Sequence, residues 1–421
     1  MLDLQDRLDE LKELGLYRRM RMVSGPQGPR VVLDGKPVLL LCSNNYLGLA
    51  DHPRVREAAA DAAMRWGVGA GASRLVSGNM TLHRRLEERI ASFKGTQSAV
   101  LFGSGYLANL GIVPALARKG EIVFSDELNH ASIVDGCRLA AAETFVYRHG
   151  DMDHLAWGLQ NADGRGALIV TDGVFSMDGD VAPLVEIVEL ARRHDVRVMV
   201  DDAHGTGTQG PGGRGAVAEA GLDGEVDVVV GTLGKALGSY GAYAACDHVT
   251  ARYLVNSARP LIFSTALPPA AVAAAMAALE LVQAQPRRVE RLADNSEALR
   301  DELAREGFDV SGSETQIVPL IVGDAGLAMR ICETALEQGV FAQAIRPPTV
   351  PEGTSRLRLA VMASHTKPEL RDAARILAQA ALRNGFRPSS TLPVAAAQAS
   401  TQAGEPRVFD GDADGPLAKA A

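Results

Sequence analysis

Between residues 98 and 230 the chain alternates short apolar runs with helix-like stretches, and this rhythm constrains its fold more than any other feature. The runs lie at 98–102, 121–124, 144–147, 167–171, 196–200 and 226–230, and helical patterns at 106–117, 131–141 and 183–193 separate several of them. Continuous Val/Ile/Leu runs of strand length are buried on both faces, and helices between them supply the covering layers. The pattern predicts an α/β chain with a mostly parallel sheet flanked by helices. In such a sheet ligands gather beyond the carboxyl ends of the strands, so the residues after each run carry the functional information.

The flanking segments have a different character. Leu4, Leu8, Leu11 and Leu14 fall on one helical face that Gly15 can end. A hairpin is predicted over 31–41 around Asp34-Gly35, followed by helices at 53–66 and 79–93. After the alanine-rich helix 269–284 and Pro286, a charged helix (287–306), the runs Ile317–Val322 and Arg356–Val361, and further helices make a smaller α+β unit. We therefore expect an N-terminal arm (1–45), a large domain (46–285) and a small C-terminal domain (286–386). The stretch 387–421, poor in apolar anchors, is expected to be disordered.

Composition excludes several function classes. A net charge of −8, a pI near 5.7 and 5% aromatic residues give no footprint for nucleic acid. We expect no secretory leader; no apolar stretch reaches membrane-spanning length, and Cys42, Cys137, Cys246 and Cys332 are scattered singly. The expectation is a reduced, cytoplasmic protein without a membrane span.

The strand ends carry complementary chemistry. Gly103-Ser-Gly-Tyr-Leu-Ala-Asn109 opens a helix with small residues whose N–H groups can meet a phosphate. Read alone, it matches a dinucleotide fingerprint and admits a nicotinamide-dependent dehydrogenase. Gly205-Thr-Gly-Thr-Gln-Gly210 also fits that pattern, but Pro211 follows where a helix should start. His130 stands at a helix mouth, and Asp201-Asp-Ala-His204 follows another strand without a strong metal-ligand spacing, so no metal site is expected. Lys235, in Thr232-Leu-Gly-Lys-Ala236, is one amine on a glycine-rich lip. It is not a P-loop, because Val229 and Ala236 replace the glycine and hydroxyl that loop needs. A phosphate nest, a ring-stacking group, a carboxylate, phenol-oxygen donors and an amine are together what pyridoxal phosphate requires.

Over about residues 15–385 the chain resembles the α-oxoamine synthases, fold-type-I pyridoxal-phosphate enzymes that condense an amino acid with an acyl thioester and release carbon dioxide. The resemblance rests on Ser43-Asn-Asn-Tyr-Leu-Gly-Leu49, Gly71-Ala-Ser-Arg-Leu-Val-Ser-Gly78, Asp172-Gly-Val-Phe-Ser-Met-Asp-Gly179, Asp201–Gly205 and Thr232–Ala236. Arg346-Pro-Pro-Thr-Val-Pro351 and Arg356-Leu-Arg-Leu359 are most similar to the branch that joins L-alanine to a pimeloyl thioester, carried on coenzyme A or a carrier protein. Glycine or serine with another acyl group is the alternative.

The resemblance implies that Lys235 binds the cofactor aldehyde and serves as base, and that Asp201 keeps the ring nitrogen protonated, with Asp202 the alternative. It implies that His130 stacks on the ring, that Ser176 and His204 bond the ring oxygen or substrate, and that Gly105, Tyr106 and Thr232 hold the phosphate. Arg358 would clamp the substrate carboxylate, while Arg18, Asn44 and Thr349 would contact substrate. A homodimer is implied as well, with Ser264 or Thr265 donated across a shared site. His83 and the 152–154 segment read as structural.

Overall fold

The computed structural model describes residues 3–387; the tail expected to be disordered lies, from residue 388 on, outside them. Each predicted run between 98 and 230 is a strand. In spatial order the central sheet runs Ser98–Phe102, Ala242–Cys246, Val228–Thr232, Arg197–Asp201, Gly166–Asp172, Ile122–Asp126 and Glu143–Tyr147. All pairings are parallel except those of Ala242–Cys246, which runs antiparallel between its two neighbours. The sequence reading did not anticipate that strand, because Ala-Tyr-Ala-Ala-Cys carries little β-branched content. It also explains why the dinucleotide fingerprint is a decoy. The strand entering Gly103–Asn109 pairs only with this antiparallel neighbour, so no βαβ unit surrounds it.

Close packing at the sheet centre has a specific cause. A side chain at Gly231 would meet the Tyr243 ring at 2.3 Å, so only glycine lets that ring lie over the strand leading to Lys235. The Tyr243 hydroxyl then reaches Thr206 at 3.0 Å.

Two smaller sheets cover the mouth of the large one. The predicted hairpin is Arg30–Leu33 and Lys36–Leu40, turning through positive φ at both Asp34 and Gly35. Its second strand, Lys36–Leu40, also pairs in parallel with Val340–Phe341. The other sheet is antiparallel, ordered Ile317–Gly323, Ser355–Ala360, Gln343–Ile345. The helix Leu4–Glu13 forms as expected but buries none of its residues, and Leu4 is 74% exposed. Residues 346–349 form a turn, with the Thr349 N–H bonded to the Arg346 carbonyl at 3.1 Å. Among the described residues no helix is long and apolar enough to cross a membrane.

Candidate active site

The parallel strands all end on one edge of the central sheet, and most of the candidate residues meet there. Lys235 follows Val228–Thr232 on a loop pinned by Ser239 N–H to the Leu233 carbonyl (2.8 Å) and by Thr232 Oγ1, which donates to Gly241 O at 3.1 Å. Gly238 has φ +59°, and a side chain there would strike the Ala50 backbone at 2.4 Å, so the loop packs tightly on Leu49-Ala50. Burial pushes the Lys235 amine down to about 8, with the Arg358 guanidinium acting in the same direction and Asp201 and Asp172 opposing both.

From Lys235 a hydrogen-bonded chain crosses to the strand Ser355–Ala360. Lys235 Nζ lies 2.6 Å from His204 Nε2, and His204 Nδ1 lies 2.7 Å from the Tyr46 hydroxyl. That hydroxyl donates to Asn44 Oδ1 (3.0 Å), and both Arg358 terminal nitrogens donate to the same oxygen at 3.3 Å. Arg358 Nε also bonds the Ser176 carbonyl, which ties the predicted carboxylate clamp to the Asp172–Gly179 loop. Burial first, then the charges of Lys235 and Arg358, hold His204 well below the ordinary histidine value. A neutral His204 accepts at Nε2 from the lysine and donates at Nδ1 to Tyr46, the one arrangement of protons that satisfies the whole chain.

Asp201 and Asp202 diverge completely. Asp201 Oδ1 accepts from Ala203 N–H (3.0 Å) and Oδ2 from Asn109 Nδ2 (2.7 Å), and its charge reaches both Lys235 and His130. Asp202 turns away, into a buried pair with Lys94 at 2.6 Å, supplemented by Thr206 and the Ala216 N–H. Asp172 sits in register beside Asp201 on the neighbouring strand and accepts the His130 backbone N–H at 2.9 Å. Burial and the Asp201 charge push Asp172 well above the usual carboxylate range. His130 caps the helix Ala131–Leu139 and leaves its ring exposed, although burial of its nitrogen lowers its basicity.

The remaining candidates lie apart from this cluster. Gly105 and Tyr106 begin the helix Gly105–Leu116, where first-turn N–H groups have no intrahelical partner. The Tyr106 hydroxyl itself is bonded to Asp135. Arg18 and Thr349 line a different cavity of about 470 Å³, together with Tyr17, Arg19, Arg21 and Arg346. Thr265 is exposed and bridges Ser73. Sequence reasoning assigned no role to Tyr46, Asn109, Ser132 or Asp172 as individual residues. Only Asn109, a weak helix former placed early in a helix, offered a local signal. His83 is buried and bonded to Leu267 O and Met80 N–H, and Met152 opens a helix.

The model for aminotransferase class I and II covers residues 36–377 of this chain. The chain belongs to that family. A curated 8-amino-7-oxononanoate synthase from Citrifermentans bemidjiense is 55% identical over 90% of this chain and 98% of its own. Among solved structures, a serine palmitoyltransferase from S. paucimobilis with pyridoxal phosphate and myriocin bound is 34% identical, with TM-score 0.86 over 91% of this chain and 97% of that one. An 8-amino-7-oxononanoate synthase from Francisella tularensis is 26% identical, with TM-score 0.72 over 83% of this chain and 99% of that one. The protein is thus a pyridoxal-phosphate-dependent transferase of fold type I, akin to the 8-amino-7-oxononanoate synthases.

Its residues fit that cofactor. The site offers an amine of depressed basicity, a buried carboxylate beside it, an exposed imidazole face and a free helix end. At that helix end nothing lies within 4 Å of where a Gly105 side chain would stand.

Proposed function

We propose that the protein joins L-alanine to a pimeloyl thioester, giving 8-amino-7-oxononanoate, carbon dioxide and the free thiol, as a step of biotin biosynthesis. The observation that carries this reading is the unbroken chain from the Lys235 amine through His204 and Tyr46 to Arg358. An amino acid whose carboxylate lies on the Arg358 guanidinium is thereby oriented relative to the Lys235 amine, and a planar two-pronged donor fixes the direction of the Cα–carboxylate bond.

When bound, pyridoxal phosphate supplies the electron sink for charge developing at Cα. Asp201 would keep a proton on the ring nitrogen and His130 would face the ring, while Ser176 and His204 would serve the ring oxygen and Gly105, Tyr106 and Thr232 would hold the phosphate. Lys235, with a basicity near neutral pH, takes and returns the proton at Cα.

Arg18 and Thr349 receive the acyl group. In their cavity Arg21 is already neutralised by Glu333 and Asp34, but Arg18 and Arg346 stand close enough for Arg18 to lower the Arg346 guanidinium's basicity, after burial. Three guanidiniums that have no ion pair among the described residues, Arg18, Arg19 and Arg346, favour an acyl chain that ends in a carboxylate, as pimeloyl does. They disfavour the bare tail of palmitoyl, the second reading raised by the serine palmitoyltransferase likeness.

The working unit is a homodimer whose shared site receives Thr265 from the partner. Exposed Met64, Val68, Leu75, Val76 and Phe263 give the apolar surface such an association would cover. A monomer fully active at assay concentration would overturn that assignment. The substrate reading is tested by assaying glycine, alanine and serine against acetyl, succinyl, pimeloyl and palmitoyl thioesters, scoring thiol release and product mass. Alanine with pimeloyl leads; glycine with acetyl or serine with palmitoyl in first place overturns it. Some turnover with glycine is expected, since one methyl discriminates by only about 1–3 kcal/mol.

A further inference from the structure

Asn109 occupies a place the mechanism has not used. It is fully buried on the helix Gly105–Leu116, one turn in from the mouth. Its amide nitrogen donates twice, to Asp201 Oδ2 at 2.7 Å and to Ser132 Oγ at 2.8 Å. Having accepted from Asn109, the Ser132 hydroxyl turns its own proton to His130 Nδ1 at 2.7 Å, which also accepts the Ser132 backbone N–H at 3.3 Å. With two donors pointing at it, Nδ1 is an acceptor, and the ring proton therefore sits on Nε2. The amide orientation is dictated as well, because turning it over would set Oδ1 against the Asp201 carboxylate. In the orientation that remains, Oδ1 is buried with no partner. A native protein retains such an orphan, worth about 1–3 kcal/mol, only where the other half of the group is needed.

The helix packing is built to allow this reach. A side chain at Gly136 would lie 2.9 Å from the Asn109 carbonyl, so glycine there lets the helix Ala131–Leu139 press against Gly105–Leu116. Ser132 is thereby brought under the amide.

We propose that Asn109 is a positioning residue that couples the two groups facing opposite parts of the cofactor: it fixes the rotamer of Asp201 and, through Ser132, the Nε2–H tautomer of His130. The inference deepens the reading of Asp201 and His130 as cofactor-facing groups and rests on it. A merely structural asparagine would support helix packing and leave the imidazole indifferent to its loss. A coupling asparagine transmits its loss to a ring that it does not touch.

The test uses the full-length protein labelled with nitrogen-15 in histidine, with and without pyridoxal phosphate, as wild type, Asn109→Ala and Ser132→Ala. Wild-type His130 without cofactor should show the two ring-nitrogen shifts of a single neutral Nε2–H tautomer. Asn109→Ala should spread His130 over both tautomers, and Ser132→Ala should do the same. In the loaded enzyme, Asn109→Ala should lower kcat about 10–100-fold, the scale of losing a group that orients a ligand-contacting side chain, with KM for the amino acid nearly unchanged. The double variant should be no worse in tautomer distribution than Asn109→Ala. Unchanged His130 shifts in Asn109→Ala overturn the coupling, whatever the activity. Ser132→Ala removes a single hydroxyl, so if Asn109→Ala does not fold, an unaltered His130 spectrum in Ser132→Ala overturns the proposal by itself. Because the spectra are read without cofactor, they stand or fall independently of the substrate and cofactor assignments.

Discussion

The strand-end floor and the arginine-lined cavity are built by opposite means. At the floor, Lys235, His204, Asp201, Asp172 and Asn109 are locked by bonds of 2.6–2.9 Å, with Asp172 and Asp201 in register on adjacent strands. The cavity collects residues from 17–33 and from 329–349, two regions at opposite ends of the chain, and its Arg18 and Thr349 side chains are exposed. A prebuilt floor suits chemistry that is intolerant of displacement, while a looser rim suits recognition of a flexible chain end. On this contrast, changes at the floor should act on turnover and changes at the rim on apparent affinity.

The hardest test of the floor is Lys235→Ala. Turnover should fall about a thousandfold or more, as when a group acting in a concerted unit is removed. Borohydride treatment followed by digestion should leave a pyridoxyl group on the Lys235 peptide of the wild type and none in the variant. A wild-type peptide without that group, with tight nicotinamide binding in its place, would return the dehydrogenase reading.

The paired aspartates sharpen the comparison within the floor itself. Asp201→Asn should lower kcat by about 10²–10³, the scale of losing a preorganised electrostatic contact, with cofactor binding much less affected. Asp202→Asn should instead destabilise the fold by about 3–5 kcal/mol, because Lys94 is left buried without its partner charge. Urea unfolding and steady-state kinetics on both variants check this, and the reverse pattern would exchange their roles.

Why the sequence spoke so clearly about the floor and so little about the rim follows from the same contrast. Strand-end residues sit within a few positions of the apolar runs that place them, so Lys235, Asp201 and His130 could be located from local pattern alone. Arg18 and Thr349, which line the rim cavity, come from opposite ends of the chain, and no local pattern joins them. Only the family resemblance put both near substrate. The partners that hold the floor were silent for another reason. Tyr46 looks like a core aromatic and Lys94 like an ordinary helix-ending lysine before Gly95, and their importance lies wholly in what packs against them. The Lys36–Leu40 pairing with Val340–Phe341 was invisible too, since a two-residue strand has no period to read.

A titration separates the two regions without touching substrate. Lys235 has its basicity lowered from 10.5 to about 8 in the folded protein, so between these values the unfolded chain binds a proton that the native state does not. Stability of the cofactor-free protein should therefore rise as pH increases from about 8 to about 10.5, by at most about 3.4 kcal/mol over the window. Lys235→Met should lose that increment, seen as the difference between the urea midpoints of the two proteins across the pH series. Arg18→Met should keep it, because a guanidinium stays charged throughout. An equal rise in Lys235→Met would place the titrating group elsewhere.

The smallest expected effect belongs to the rim. Arg18→Met removes one of three guanidiniums that have no ion pair among the described residues while Arg19 and Arg346 remain, so KM for the pimeloyl thioester should rise about tenfold, the scale of one charge-assisted bond at a partly exposed site. kcat should change little, because the floor residues are not bonded to Arg18. The effect should be confined to acyl groups ending in a carboxylate: the octanoyl thioester, similar in length but neutral at its far end, should bind the variant at least as well as the wild type. Salt provides an independent check. Exposed charges are screened over about 8–10 Å at 0.1–0.15 M, so the wild-type preference for pimeloyl over octanoyl should shrink as ionic strength rises, while kcat, set by buried groups, stays level. If Arg18→Met lowers kcat and leaves KM alone, the cavity is part of the catalytic floor and the division between the two regions fails.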